Sequence, residues 1–254
     1  MDICFDCFSG VSGDMLVGAL LDIGASEEIL KEKLNSLNLK DYDIKISKIS
    51  KNGYMTTDFD VVLKENNFDD NLEYLFGNKK FPKMREVRNL NDVFSIIDNS
   101  NLSEKSKLLS KKIFSLVAYA EGKAHNVPME KVFFHESGAM DSIIDVVSFA
   151  VCIDNLNINN VYAKNLCEGK GHINCRVGKL PIPVPAVKNI LEKFNLTYSE
   201  INQNVELITP TGIACLASIA KFNYSTKHDT IKTGYGNGKR SYNLPCVLKV
   251  EVLK

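Results

Sequence analysis

DCFSGVSGDMLVGALLDIGA, residues 6–25, carries three signals in succession. A short apolar run, Ile3 to Phe8, meets a Gly/Ser loop, and the loop leads directly into apolar residues at helical spacing. Strand, glycine loop and helix start in that order aim backbone N–H groups and the positive end of a helix at an anion. Asp6 and Asp14 flank the loop, so a divalent cation could sit beside a bound phosphate. On this reading Ser9, Gly10, Ser12 and Gly13 contact the phosphate and Asp14 is a catalytic candidate. The plainer reading is a strand-to-helix turn whose glycines supply unusual φ angles. Spacing alone leaves both open.

Beyond this stretch, Ser26 to Leu37 reads as a second amphipathic helix with Ser26 as its N-cap. Asp43 to Leu63 alternates apolar and polar residues around Lys51-Asn52-Gly53, a hairpin signal. Residues 65–83 are polar and rich in Asn and Lys, which marks a surface insertion and a candidate subdivision of the chain near 65–85. Helices are expected at Leu90–Asp98 and from Ser103 to about Ala124, a strand at Val132–His135 and a helix at Ser142–Asn155. Val161 to Leu166 is strand-like, and Pro181, Pro183 and Pro185 make a stiff extended strap. Helices follow at Ala186–Phe194 and after Thr209, with Pro210 near its first position, and Cys246 to Leu253 alternates like a strand. Interspersed strands and helices predict a mixed α/β fold, a sandwich of a mixed sheet with packed helices, with the strand order left open.

At 254 residues the chain can bury a sizeable core. It is 44% hydrophobic and 24% charged, which argues against disorder. With 31 basic and 31 acidic residues there is no global basic excess pointing to nucleic acid. No apolar run is long enough to span a bilayer, and no basic-then-apolar leader opens the chain. Seven cysteines without a scaffold rhythm fit a reduced, cytoplasmic protein. Cys4 and Cys7 form a C-x-x-C, but on a strand they point to opposite faces, which disfavours a redox or zinc pair.

His135, Glu136, Asp141 and Asp145 are the densest group of metal-competent side chains. Asp141 and Asp145 are four apart and can share one helix face. Imidazole with carboxylates suits Mn, Fe, Ni or Zn. The alternative has Asp141 as a helix cap, Asp145 solvated and His135 a core histidine. TPTG offers Thr209, Thr211 and Gly212 at a helix start, a natural phosphate site. GYGNGKR, residues 234–240, is read as a glycine-rich loop in which Gly236, Gly238 and Lys239 meet an anion, or as an ordinary hairpin turn. No P-loop, no dinucleotide fingerprint and no Ser-His-acid order is present.

These segments occur in the order SGVSGDM, FFHESGAMDSIIDVV, KLPIPVPA, ELITPTGIA and GYGNGKRS, and the chain thereby resembles the LarC family of nickel-insertion proteins over most of its length. The resemblance implies an N-terminal LarC-like domain over 1–254. It implies nickel insertion into pyridinium-3,5-bisthiocarboxylic acid mononucleotide, forming one carbon–nickel and two sulfur–nickel bonds. Nickel is then a substrate ion, and CTP with Mn or Mg is required. His135, Glu136, Asp141 and Asp145 become the metal candidates, with Glu136 also catalytic, and the glycine and threonine loops become candidates for the nucleotide. The family's C-terminal CTP-binding domain is not matched, so a separately encoded C-terminal partner, or a second copy of the chain, is expected. Phe133, Val177, Val87 and Asn89 stand where the family pattern carries histidine. That departure keeps a second expectation open: a nucleotide- or cofactor-binding module without the full nickel-binding set.

Overall fold

The computed structural model describes residues 1–40, 42–63, 88–134, 140–175, 178–222, 229–240 and 244–254. In chain order, β1 (Asp2–Asp6) leads into α1 (Gly13–Asp22) and α2 (Glu27–Asn35). The hairpin strands β2 (Tyr42–Lys51) and β3 (Tyr54–Leu63) follow, then β4 (Arg88–Asn89), α3 (Leu90–Asp98) and α4 (Glu104–His125). Next come β5 (Phe133–Phe134), α5 (Met140–Asn155), β6 (Asn160–Lys164), β7 (Cys167–Glu168), β8 (Gly171–Cys175) and β9 (Gly178–Ile182). The chain continues with α6 (Pro185–Lys193), β10 (Ser199–Glu200), α7 (Pro210–Ile219), β11 (Ala220–Phe222), β12 (Thr230–Asn237) and β13 (Val247–Leu253).

Seven strands form one mixed sheet in the order β11-β6-β1-β13-β12-β3-β2. β1 lies parallel to β6 and antiparallel to β13, so the first and last strands of the chain are neighbours at its centre. The register Ile3↔Val252 and Phe5↔Val250 sends Ile3, Phe5, Val161, Ala163, Leu248, Val250 and Val252 into the main core. The alternate residues Cys4, Tyr162 and Leu253 form a separate small cluster. Pleating puts it on the opposite face, where Glu251 also takes Lys164 and Lys249, each at 2.6 Å. Cys4 and Cys7 therefore lie in different clusters, as the strand period requires.

Helices α1 and α5 are apolar nearly all round, the pattern of helices with neighbours on every side. Helix α1 packs on β12, β3 and α5; α5 packs on α1, α2 and α4; α7 packs on β6 and β11. The caps read from sequence are present. Ser26 accepts the Ile29 N–H at 3.2 Å and Ser103 that of Ser106 at 3.1 Å; Thr209, expected as a phosphate contact, caps its helix by accepting the Gly212 N–H at 3.1 Å. Asn52 and Gly53 take positive φ angles of 50° and 84° between β2 and β3, as an Asn-Gly hairpin turn demands. One expectation is corrected. GYGNGKR is not a loop throughout: Gly234 to Asn237 belong to β12, and only Gly238 to Arg240 leave the strand. The glycines pack against α1: a side chain at Gly236 would meet the Ala19 nitrogen at 2.8 Å and collide with the Met15 carbonyl. Among the described residues no helix is long and apolar enough to cross a membrane.

Candidate functional site

The loop from Cys7 to Ser12 turns at Gly10, whose φ of 89° is open to few L side chains and whose missing Cβ makes room for Leu207. Val11 then bridges Ile208 in parallel. Its N–H donates to the Leu207 carbonyl at 2.9 Å, and its carbonyl accepts the Thr209 N–H at 3.0 Å. This zips the SGVSGD loop to the TPTG segment, so α1 and α7 start side by side; a side chain on Gly212 would meet the Ser12 nitrogen at 2.8 Å. Gly13, the first residue of α1, lies against Asp145 of α5, where an added Cβ would come 2.8 Å from the Asp145 Cβ. Ser12 donates its hydroxyl to Asp14 Oδ1, which also accepts the Met15 N–H at 2.9 Å.

Asp14, Asp141 and Asp145 thus gather where α1 and α5 begin, and Lys239 faces them from the loop after β12. Lys239 pairs with Asp60 of β3 at 2.7 Å. Burial pushes the Asp141 carboxyl up to about 6, with Lys239 opposing and Asp14 and Asp60 adding to the rise. Burial also holds Asp145 well above the ordinary carboxylate range, and the charges of Asp141 and Asp14 act in the same direction. For Lys239, burial works to lower the value. The charges of Asp14 and Asp141, the bond to Asp60 and the charge of Asp145 outweigh it, so its ammonium is held above the usual lysine range. Asp145 is only 6% exposed, and its Oδ1 has no hydrogen-bond partner among the described residues.

Glu168, which the sequence does not single out, and Arg240, which it reads with Lys239 as an anion contact, tie these loops together. Glu168 is fully buried, and its carboxylate accepts the N–H groups of Gly169 at 2.8 Å, Leu207 at 2.7 Å and Ile208 at 3.2 Å. Burial pushes it up to about 7 against those donors. Arg240 donates to the Glu206 carbonyl at 2.7 Å and to its carboxylate at 2.8 Å, which links the Gly238–Arg240 loop to the same segment. The sequence signal for Glu168 is a single acid between Leu166-Cys167 and Gly169; that for Asp60 is its place in an alternating strand.

The structure places the expected residues unevenly. Asp14, Asp141, Asp145 and Lys239 come together, while Thr209, Thr211 and Gly212 lie beside Ser12 across the zipped loops. Ser9 is turned to another task, accepting the Cys246 N–H at 2.9 Å. Gly236 lies under α1, and Gly238 donates its N–H to the Cys246 carbonyl at 2.9 Å. His135 and Glu136, the insertion at 65–83, Val87 and Val177 lie outside the described residues. Among the described residues no three His, Cys, Asp or Glu side chains stand close enough to hold a metal ion as they are. A metal ion at Asp141 and Asp145 would therefore take its further ligands from water or substrate, as hard cations on one or two carboxylates do.

Comparison with known proteins bears directly on this arrangement. A family model described as nickel insertion protein matches residues 3–253. A protein of Alkaliphilus metalliredigens named pyridinium-3,5-bisthiocarboxylic acid mononucleotide nickel insertion protein is 44% identical over 252 residues, covering 98% of this chain and 59% of its own length. Proteins with the same name from Acetivibrio thermocellus and Clostridium kluyveri are 43% and 38% identical, over 96% and 97% of this chain. The chain spans 59% and 60% of the length of those two relatives. No solved structure matches it.

Proposed function

The chain belongs to the nickel insertion protein family, and we propose that it supplies the nickel-handling part of the reaction named for its relatives: insertion of nickel into pyridinium-3,5-bisthiocarboxylic acid mononucleotide. The observation that carries this is the meeting of Asp14, Asp141 and Asp145 with Lys239 where α1 and α5 begin, beside the start of α7. Carboxylates suit a divalent ion on its way to sulfur ligands, because they bind it less firmly than thiolates would. Helix starts and Lys239 suit the phosphate and thiocarboxylate charges of the nucleotide. Exchange of a ring C–H for a carbon–nickel bond releases one proton, and a carboxylate such as Asp14 can take it. Glu136 and His135 extend the same assignment. CTP with Mn or Mg, and a cytoplasmic setting, belong to this reading through a C-terminal partner domain.

A second reading, a binding module without the full nickel set, is favoured by one observation. Asn89 and Phe133, both standing where the family pattern carries histidine, are cross-strand partners in the β4–β5 pair, so both departures fall on one spot. The test combines this chain, nickel and the purified mononucleotide, with and without a C-terminal partner domain and CTP, and follows nickel incorporation by mass. Incorporation that is lost in Asp141→Asn supports the chelatase reading. Tight mononucleotide binding without incorporation under any combination supports the module. CTP hydrolysis by this chain alone would overturn the assignment of CTP to a partner.

A further inference from the structure

Glu168 is a carboxylate to which the reaction above gives no part, and at 0% exposure it has no surface for a ligand to touch. What opposes its burial is backbone. Oε1 accepts the N–H groups of Gly169 and Leu207, and Oε2 accepts that of Ile208. Leu207 and Ile208 are also the residues that hold the Cys7–Ser12 loop. The Leu207 carbonyl accepts the Val11 N–H, Ile208 bridges Val11, and Thr209 donates its N–H to the Val11 carbonyl. Glu168 thus grips the back of a segment whose front carries the other loop. The same segment is fastened further along, where the Gln203 carbonyl accepts the Lys170 N–H at 2.8 Å and the Asn204 side chain that of His172 at 2.8 Å. Gly169 makes the close approach possible, since a side chain there would collide with the Val205 carbonyl.

We propose that Glu168 is a positioning residue of the nucleotide site: through Leu207 and Ile208 it sets the SGVSGD loop against the TPTG segment, so that both are in place before the mononucleotide arrives. That the ligand is the mononucleotide rests on the function proposed above; the positioning rests on the three hydrogen bonds. Only an ionised carboxylate offers acceptors on both oxygens with no proton in the way. An amide, or a protonated carboxyl, turns a donor on one of the three N–H groups and pushes that part of the segment off. Positioning and stability therefore respond to pH in opposite senses. Burial, which pushes this carboxyl up to about 7, favours the protonated form, while the three donors need the ionised one. The titratable groups facing Glu168 are Cys167 beside it, Tyr198, Glu200 across the β7–β10 pair, and Glu206. Arg240 holds Glu206 and Lys170 lies 3.8 Å from Glu200, while Cys167 and Tyr198 are raised from values of 9.0 and 10.0.

The test titrates the full chain, wild type and Glu168→Gln, with the purified mononucleotide and with inorganic phosphate at pH 8 and pH 5.5. Calorimetry gives the affinities, and hydrogen exchange follows the amides of Val11 and Thr209. The variant should bind both ligands about tenfold more weakly at pH 8, with faster exchange at those two amides. The ratio of affinities should approach one at pH 5.5, where the wild-type carboxyl is protonated too. Protonation of the ligand is common to both proteins and cancels in the ratio. The stability gap runs the other way, wider at pH 5.5, so a merely structural role cannot reproduce the pattern. Leu30→Ala, a cavity in α2, lowers stability away from these loops and should leave both affinities unchanged. Should circular dichroism show the glutamine variant unfolded, Glu168→Asp replaces it; the carboxylate is then withdrawn by one methylene, and binding at pH 8 should again be weaker than in wild type. Equal affinities at pH 8, or a ratio that does not change with pH, overturn the positioning role, and do so alone if nickel incorporation is seen. Wild-type protein that binds neither ligand overturns it together with the nucleotide site. The expected pattern with phosphate, without nickel incorporation under any combination, leaves this inference standing and removes the function proposed above.

Discussion

Among single residues, Gly13 and Glu168 show how much depends on a close approach. An alanine in a helix normally gains up to about 1 kcal/mol over glycine. At Gly13 the added Cβ would overlap the Asp145 carboxylate, and overpacking of that kind costs about 1–3 kcal/mol. The second effect wins, so Gly13→Ala is expected to destabilise the chain in urea denaturation, and Gly13→Ala with Asp145→Ala should recover part of the loss. Additive effects in that pair would show that the two residues do not press on each other. Glu168 gives a pH dependence. Its folded value of about 7 lies above the ordinary 4.5, so the folded chain holds the proton more firmly than the unfolded one. Its contribution to stability is full below about 4.5 and is lost as pH rises through about 7, by about 3 kcal/mol. Glu168→Gln should lose that component of the slope. Denaturation at pH 5 and pH 8 checks this: the gap between wild type and variant should narrow as pH rises, and a constant gap would contradict it.

Among the helices and strands, the sequence is most legible where one local rule governs. Ser26, Ser103 and Thr209 cap helices because a side-chain oxygen there answers an N–H that no carbonyl can reach. Thr209→Ala is therefore expected to cost about 1 kcal/mol, measured by urea midpoint. Because α7 begins beside Ser12, that variant should also weaken phosphate-ligand binding; unchanged binding would separate the cap from the site. The glycines of β12 look like a loop in sequence for a physical reason. A run of glycines has the same local appearance in a loop as in a strand that a helix lies on, and only the carbonyl of Met15 overhead shows which it is. Gly236→Ala should accordingly force α1 away from the sheet, with a loss of roughly 1–3 kcal/mol or more. Gly53, with φ of 84° but nothing within 4 Å, should cost about 1 kcal/mol as alanine, from backbone conformation alone. Thermal melts of the two variants give the comparison.

Across the molecule as a whole, one contiguous cluster of buried residues runs from Ile3 on the first strand to Val252 on the last, through every helix that packs inside. Such a core is expected to unfold as a unit, so urea transitions followed by tyrosine fluorescence and by circular dichroism should coincide. Two separated transitions would favour the subdivision near 65–85. The fold class, the hairpin, the caps and the family are legible in the chain alone, because each is written in local periodicity, turn chemistry or ordered motifs. The sequence also marks Asp14, Asp141, Asp145 and Lys239 as candidate residues. Folding adds what no local pattern holds: these four meet, Asp60 holds the lysine, and Glu168 and Arg240 fasten the loops around them. The reason is strand order. With β1 between β6 and β13, and β12 next to β3, residues more than 200 positions apart become neighbours, as Ser9 and Cys246 do. A pairing of that range leaves no mark on the residues in between.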